Sequence, residues 1–423
     1  MAEVKPFKGI RPSREAAAQI ASLPYDVYNR AEAKEIVGIE PLSFLSIDRP
    51  ETMFDEDFDM YSFEAYAAGK DLLHQRINDG HFVQDEQACY YLYVLTRNGH
   101  TQRGIVAVAS IDDYLDAVIK KHENTRPDKE IDRTRHVDIL NAQTGPIFMA
   151  YHTTYTLDHV MTDTMKQDPL YDFIKDDDTR HQVWMIEDQQ MIHTITEGFA
   201  QVESIYIADG HHRAQAACNV ALERRMLDPK YTGMEEYNYF LSVLFPADEL
   251  IIMDYNRVIH DLNGLSHHEY FDLVKQEFHI EGPFIEEQHP THKGQWGMYI
   301  GKSWYLLTAR EGSIAYSMLH STLNTNEPRG HALDVSVLQE RILSPILGID
   351  DPKTNDRIQF VGGIRGLQEL EKLVNQTDGV AFAMYPTSMD ELFMVSDAGE
   401  LMPPKSTWFE PKLLSGLFIH ELS

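Results

Sequence analysis

One stretch restricts the possible folds more than any other: Ser204-Ile-Tyr-Ile-Ala-Asp-Gly-His-His-Arg-Ala-Gln-Ala-Ala-Cys218. Residues 204–208 are apolar and partly β-branched, as a short buried strand requires. Asp209-Gly210 then interrupts the run as Asp-Gly pairs do at turns. From Arg213 the chain continues through Ala-Gln-Ala-Ala to Leu222-Glu-Arg-Arg-Met226, strong helix formers throughout. A strand that turns on glycine straight into a helix aims main-chain N–H groups into the turn, which makes a seat for an anion such as phosphate. Asp209, His211, His212 and Arg213 supply that seat with one carboxylate, two imidazoles and one guanidinium.

Elements of both kinds alternate along the rest of the chain, which places it in the α/β (α+β) class. Helical patterns are expected from about Ser13, over 61–77, from Ile111, over 157–166, 266–278, 333–343 and 365–375. Strands are expected at 88–96 and 104–110, joined by Arg97-Asn-Gly99, a strong hairpin signal between β-rich runs. Further strands are expected at 146–151, around Trp184, and at 238–246, 296–300, 303–308, 313–318, 379–384, 392–395 and 416–419. With 423 residues there is room for two or three domains. A soft division is expected between 1–235, holding the central motif, and an α+β region at 236–423.

Charge narrows the partners. Lys and Arg total 37 against 67 Asp and Glu, a net charge of −30. Such a chain repels nucleic acid and anionic membrane at long range. Cys89 and Cys218 are too few for a disulfide framework or a Cys-rich zinc site. The N-terminus lacks the apolar core of a signal peptide, and no apolar run reaches the length of a membrane span, so a cytoplasmic protein is expected. Pairing into a homodimer is compatible with the sequence, which does not fix the oligomeric state.

Two further segments carry chemistry. Six of the sixteen residues 120–135 are Lys or Arg, yet Glu123, Asp128, Glu130 and Asp132 lie among them. From charge alone this reads either as a solvated helix face or as part of a site. Near the C-terminus Lys405-Ser406-Thr407 offers one ammonium and two hydroxyls, a set suited to a carboxylate or phosphate, or else an ordinary turn. It lacks the Gly-rich lead-in of a P-loop.

Asp209-Gly-His-His-Arg213 followed by a small-residue helix resembles the phosphate-binding motif of the ParB/sulfiredoxin-like superfamily, in the form found in its free L-serine kinases. Leu23-Pro-Tyr-Asp-Val27, His122-Glu-Asn-Thr125, Tyr255-Asn-Arg257 and Pro404-Lys-Ser-Thr407 extend the pattern. Together they resemble a large bacterial family catalogued as domain of unknown function 1015, whose studied members resemble serine kinases using ATP, ADP or pyrophosphate. The resemblance implies a ParB/sulfiredoxin-like core with additional α+β C-terminal segments, Mg²⁺ as cofactor, and transfer of phosphate to L-serine or a similar hydroxy amino acid. It implies Glu123 as the base with His122 beside it, and Asp209 as metal ligand or loop organiser. Gly210, His211, His212 and Arg213 would bind the nucleotide phosphates, and Lys405, Ser406 and Thr407 the substrate carboxylate. A nucleotide- or metabolite-responsive regulator that kept the pocket and lost turnover is the competing class.

Two alternatives are weaker. Sulfiredoxin chemistry needs a cysteine where His211 stands, and Cys218 lies two helical turns further on, where a small core residue is expected. A zinc site on His211 and His212 is disfavoured because adjacent histidines rarely share one metal and no third ligand is spaced for it.

Overall fold

Asn98 and Gly99 have φ of 51° and 79° in the computed structural model. They form the two-residue turn with both central residues left-handed that suits the twist of a hairpin. The turn joins Tyr90–Arg97 to His100–Ser110, as expected. The structure describes residues 1–320 and 328–423. They divide into a first unit, Met1–Leu250 with Pro411–Ser423, and a second, Ile251–Glu410.

The first unit is built on a nine-stranded mixed sheet. Its strands are β1 (Val4–Lys5), β2 (Tyr90–Arg97), β3 (His100–Ser110), β4 (Ile119–Lys120), β5 (Ile147–Tyr151), β6 (Tyr171–Ile174), β7 (Arg180–Ile186), β8 (Ile205–Asp209) and β9 (Tyr239–Pro246). The order is β4-β8-β5-β9-β3-β2-β7-β6, with β1 added on β3. β4 runs parallel to β8 and β5 parallel to β9, while the other pairings are antiparallel. β5 and β9 are buried along their whole length, which explains their continuous apolar runs where a half-exposed strand would alternate. β9 follows the division expected near residue 235 and lies within this sheet.

Two helices matter for the site: α1 (Pro127–Leu140) and α2 (His211–Leu227). Pro127 opens α1, where its missing N–H costs nothing, and Asn141 closes it in the left-handed conformation. α2 buries Ala214, Ala217, Cys218 and Ala221 in the main core with Ile205 and Ile207 of β8. Cys218 is therefore the small core residue expected, its thiol pKa pushed up by burial. Asn219 Nδ2 donates to Glu130 Oε1 at 2.9 Å and Arg224 pairs with Asp138 at 2.9 Å, fixing α2 against α1.

The second unit holds a six-stranded antiparallel sheet of Phe278–Phe284, Ser303–Ala309, Gln295–Ile300, Val380–Ala383, Tyr255–Ile259 and Ile358–Gly362, in that order. Helix Leu367–Val374 covers it through Leu367, Leu370 and Val374, packed with Val258, Val361 and Trp304.

Four expectations are corrected. The helix from Ser13 shrinks to one turn, Ala17–Ile20. Residues 313–318 form helix Ile314–Leu319, because the Ser313 hydroxyl accepts the Tyr316 N–H as an N-cap. Residues 392–395 lie in helix Met389–Asp397, started by a reciprocal Ser388–Glu391 capping box. At 416–419 only Ile419 bridges to Ile10, and the terminal strand is the short pair His420–Glu421. Among the described residues no helix is long and apolar enough to cross a membrane.

Candidate functional site

The site begins where β8 ends. The strand runs through Asp209, a single residue turns, and α2 starts at His211. That residue, Gly210, has φ 97°, outside what a side-chain-bearing residue adopts without strain. A Cβ there would also stand 3.0 Å from the Arg213 guanidinium nitrogens. The turn is tighter than the sequence suggested, and main-chain N–H groups of the first turn of α2 face the loop.

The second wall comes from register. Ile119 and Lys120 of β4 pair in parallel with Ile205 and Tyr206 of β8, so the residues after Lys120 run alongside the end of β8. His122 and Glu123 thereby reach the start of α2. The His122 and His211 rings meet edge to face, centroids 4.5 Å apart. The His122 N–H points at His211 Nε2 at 3.4 Å, and the Arg126 N–H donates to His212 Nε2 at 3.0 Å. Both histidines of the motif thus hold the loop that carries Glu123. Ring nitrogens of His122 and His211 and a carboxylate oxygen of Glu123 all lie within 4.8 Å of one another.

Burial sets the protonation of the two inner rings. Desolvation pushes His122 down to about 4, opposed by its hydrogen bond to the Ile207 backbone. Desolvation, then the neighbouring His122, pushes His211 well below the ordinary imidazole range. Both are neutral at pH 7, so phosphate contacts from them would be hydrogen bonds rather than ion pairs.

Asp209 sits between two cations: Arg213 Nη2 at 3.2 Å and Lys412 Nζ at 3.8 Å. The Arg213 guanidinium also donates to the Pro146 carbonyl, tying the loop before β5 to the first turn of α2. Arg213 is part of the scaffold as well as a charge facing the seat. Lys412 was missed by sequence reasoning: it comes from the C-terminal return of the first unit, and nothing near it in sequence marks it.

The structure therefore brings together His122, Glu123, Asp209, Gly210, His211, His212 and Arg213. Lys405, Ser406 and Thr407 belong to the second unit. There the Lys405 carbonyl accepts Arg257 Nη2 at 3.0 Å and its ammonium lies 5.7 Å from the centre of the Tyr255 ring. The Ser406 hydroxyl donates to the Pro403 carbonyl at 2.6 Å.

The third ligand that sequence spacing failed to supply for a metal is present in space. It does not involve His212: His122, 89 residues before His211, and Glu123 join His211. The signal was three-dimensional, carried by the two-residue pairing of β4 with β8.

None of the curated proteins compared matches the chain. Among solved structures, SbnI with a C-terminal truncation from Staphylococcus aureus is 12% identical, covering 73% of this chain and 85% of that one, with a TM-score of 0.36. A free serine kinase in complex with AMP is also 12% identical, covering 72% and 86%, with a TM-score of 0.35. A conserved hypothetical protein from Pyrococcus furiosus is 13% identical, covering 74% and 94%, at 0.33. Likenesses this loose bear no weight on the chemistry of the site. The family model described as protein of unknown function (DUF1015) matches residues 4–336, most of the chain, and the protein belongs to that family.

Proposed function

We propose that the protein phosphorylates the hydroxyl of a free small amino acid, L-serine first, using ATP, ADP or pyrophosphate with Mg²⁺. The observation that carries this reading is the approach of Glu123 to the anion seat, with its carboxylate within 4.8 Å of His211 in the first turn of α2. A sensor needs the seat; only a catalyst needs a proton acceptor beside it.

Phosphoryl transfer asks for positioning, charge neutralisation and a group to take the hydroxyl proton. Main-chain N–H groups at the start of α2 cradle the donor phosphates. Arg213 and Lys412, 14% and 17% exposed in their side chains, present positive charge from a partly desolvated position, where it counts for more than on an open surface. Glu123 accepts the serine proton as the serine oxygen bonds to phosphorus, and the departing phosphate keeps the electron pair of the broken P–O bond. Mg²⁺ prefers oxygen donors and takes one or two carboxylates with the phosphates. Asp209 fits that part: its side chain is 37% exposed, and its two ion pairs, with Arg213 at 3.2 Å and Lys412 at 3.8 Å, are both long. The ion would neutralise charge on the donor phosphates.

The test is to incubate the pure protein with Mg²⁺, L-serine and each donor in turn and to measure O-phosphoserine. Turnover with any donor that is lost in Glu123→Gln supports the reading. Nucleotide binding without turnover under all three donors would overturn it in favour of the regulatory class.

A further inference from the structure

We infer that His122, Glu123 and His211 form a binding site for one d-block dication of the Zn²⁺, Co²⁺, Fe²⁺ class, distinct from the Mg²⁺ that accompanies a nucleotide. Three donors converge within 4.8 Å, two of them imidazoles on buried residues and the third a half-buried carboxylate. Two nitrogens and one oxygen are the wrong set for Mg²⁺, which prefers oxygen, and the right set for borderline ions. Two histidines with one glutamate, and one coordination position left for water or substrate, is also the composition of open catalytic zinc sites.

The surroundings support ligation. Metal-bound histidines usually donate their second N–H to a carbonyl or carboxylate, which fixes the ring. His122 has such a partner in the Ile207 backbone, on the strand that leads into the motif. His211 is buried at the first position of α2, where the turn of Gly210 fixes its backbone. Its Nε2 contact with the His122 N–H is long at 3.4 Å, weak enough to yield to a metal–nitrogen bond. In a tetrahedral site with bonds of ~2.0–2.1 Å, donors stand about 3.4 Å apart. The three donors already lie within 4.8 Å of one another, and Glu123 is the least buried of them.

Occupancy has a consequence that rests on the proposed kinase reading. A carboxylate bound to a metal is a poor proton acceptor, so the d-block ion would inhibit the Mg²⁺-dependent reaction. Binding itself needs no kinase activity.

The experiment uses the full, untagged chain stripped with chelator. Co²⁺ is added while visible absorption is followed, Zn²⁺ is titrated by calorimetry, and metal per chain is counted by mass spectrometry. The expected result is one ion per chain, with Zn²⁺ displacing the Co²⁺ spectrum. Glu123→Gln should weaken binding by at least ~10–100-fold, the loss typical of disturbing even outer-shell partners, with an unchanged circular dichroism spectrum. His122→Gln serves as a second variant, because His211 opens α2 and faces the His122 N–H, so its loss would also disturb the loop that carries Glu123. No stoichiometric Co²⁺ or Zn²⁺ binding, or binding that both variants retain at wild-type affinity, would overturn the inference. Phosphoserine formation is measured separately in chelator-treated buffer with Mg²⁺. A failed kinase assay with intact Co²⁺ binding overturns only the kinase reading, and turnover without Co²⁺ binding overturns only the metal site.

Discussion

Replacing Gly210 by alanine tests how the seat is built. Two costs are separable. The backbone at φ 97° and ψ 28° is left-handed, and a Cβ there costs roughly 1–2 kcal/mol. The same Cβ would lie 3.0 Å from Arg213 Nε and Nη2 and 3.1 Å from Cζ, close enough that the guanidinium must give way by a few tenths of an ångström. Arg213 is held by the Pro146 carbonyl and by Asp209 at 3.2 Å, and weakening one charged hydrogen bond costs ~1.5–3 kcal/mol. Because the long side chain can shift without losing both partners, we expect a total of ~1–5 kcal/mol, from strain alone up to strain plus one such bond.

A single melting curve blurs two units, so the readout is hydrogen exchange across residues 205–227, where the helix should lose protection in Gly210→Ala. The collision is isolated by a double-mutant cycle with Arg213→Ala. Without the guanidinium only the backbone strain of ~1–2 kcal/mol should remain. If Gly210→Ala costs under ~0.5 kcal/mol, about the scatter of unrelated surface substitutions, the strained turn is refuted. An equal cost in both backgrounds refutes the collision.

Three other outcomes are expected. Glu123→Gln should lower kcat by ~10²–10⁴ with a smaller change in KM, because it removes proton acceptance while keeping shape; wild-type phosphoserine formation would make Glu123 a structural residue. Burial raises the Asp334 carboxyl from its ordinary 3.8 to about 7, against the opposing Gly294 N–H bonds at 3.1 Å. The folded carboxyl then holds its proton more tightly than the unfolded one, so the contribution of Asp334 to stability is largest below pH ~4 and falls as pH rises toward ~7. At about 1.4 kcal/mol per pH unit the loss reaches up to ~4 kcal/mol; Asp334→Asn should flatten that slope in urea unfolding of the second unit, and an unchanged slope refutes it. Finally, the net charge of −30 should leave no measurable duplex DNA binding at physiological salt; a micromolar complex by fluorescence anisotropy contradicts this.

What was legible in the sequence follows from what is local. The Asn98-Gly99 hairpin and the strand–Gly210–helix turn depend on two or three adjacent residues, and both were read correctly. The Ser388–Glu391 capping box is local too, with its spacing present in the sequence, yet the short apolar run Leu392-Phe-Met-Val395 outweighs it. The meeting of His122, Glu123 and His211 is not local, because it depends on which strand β4 pairs with and in which register. A two-residue strand leaves almost no periodicity to detect. Lys412 was hidden for a similar reason: the chain leaves the first unit after Leu250 and returns at Pro411, and no composition shift announces a return.

The two motif histidines show why their substitution should not be read as lost phosphate contacts alone. His212 Nε2 accepts the Arg126 N–H at 3.0 Å and His211 faces the His122 N–H, so each holds the loop that carries Glu123. His212→Ala would remove any phosphate contact and also leave the Arg126 N–H to water, loosening the loop. The expected result is a fall in kcat along with weaker nucleotide binding, since a base displaced by about 1 Å can cost ~10²-fold in rate. His212→Gln separates the two roles. Its amide oxygen can accept the same N–H while its apolar stem and charge-free head keep the size of the side chain. If the loop is what matters, Gln recovers most of kcat relative to Ala, and hydrogen exchange at 121–126 returns to the wild-type rate. Equal defects in Ala and Gln, with unchanged exchange in that loop, would assign His212 to the phosphates and leave the loop to be held by His211.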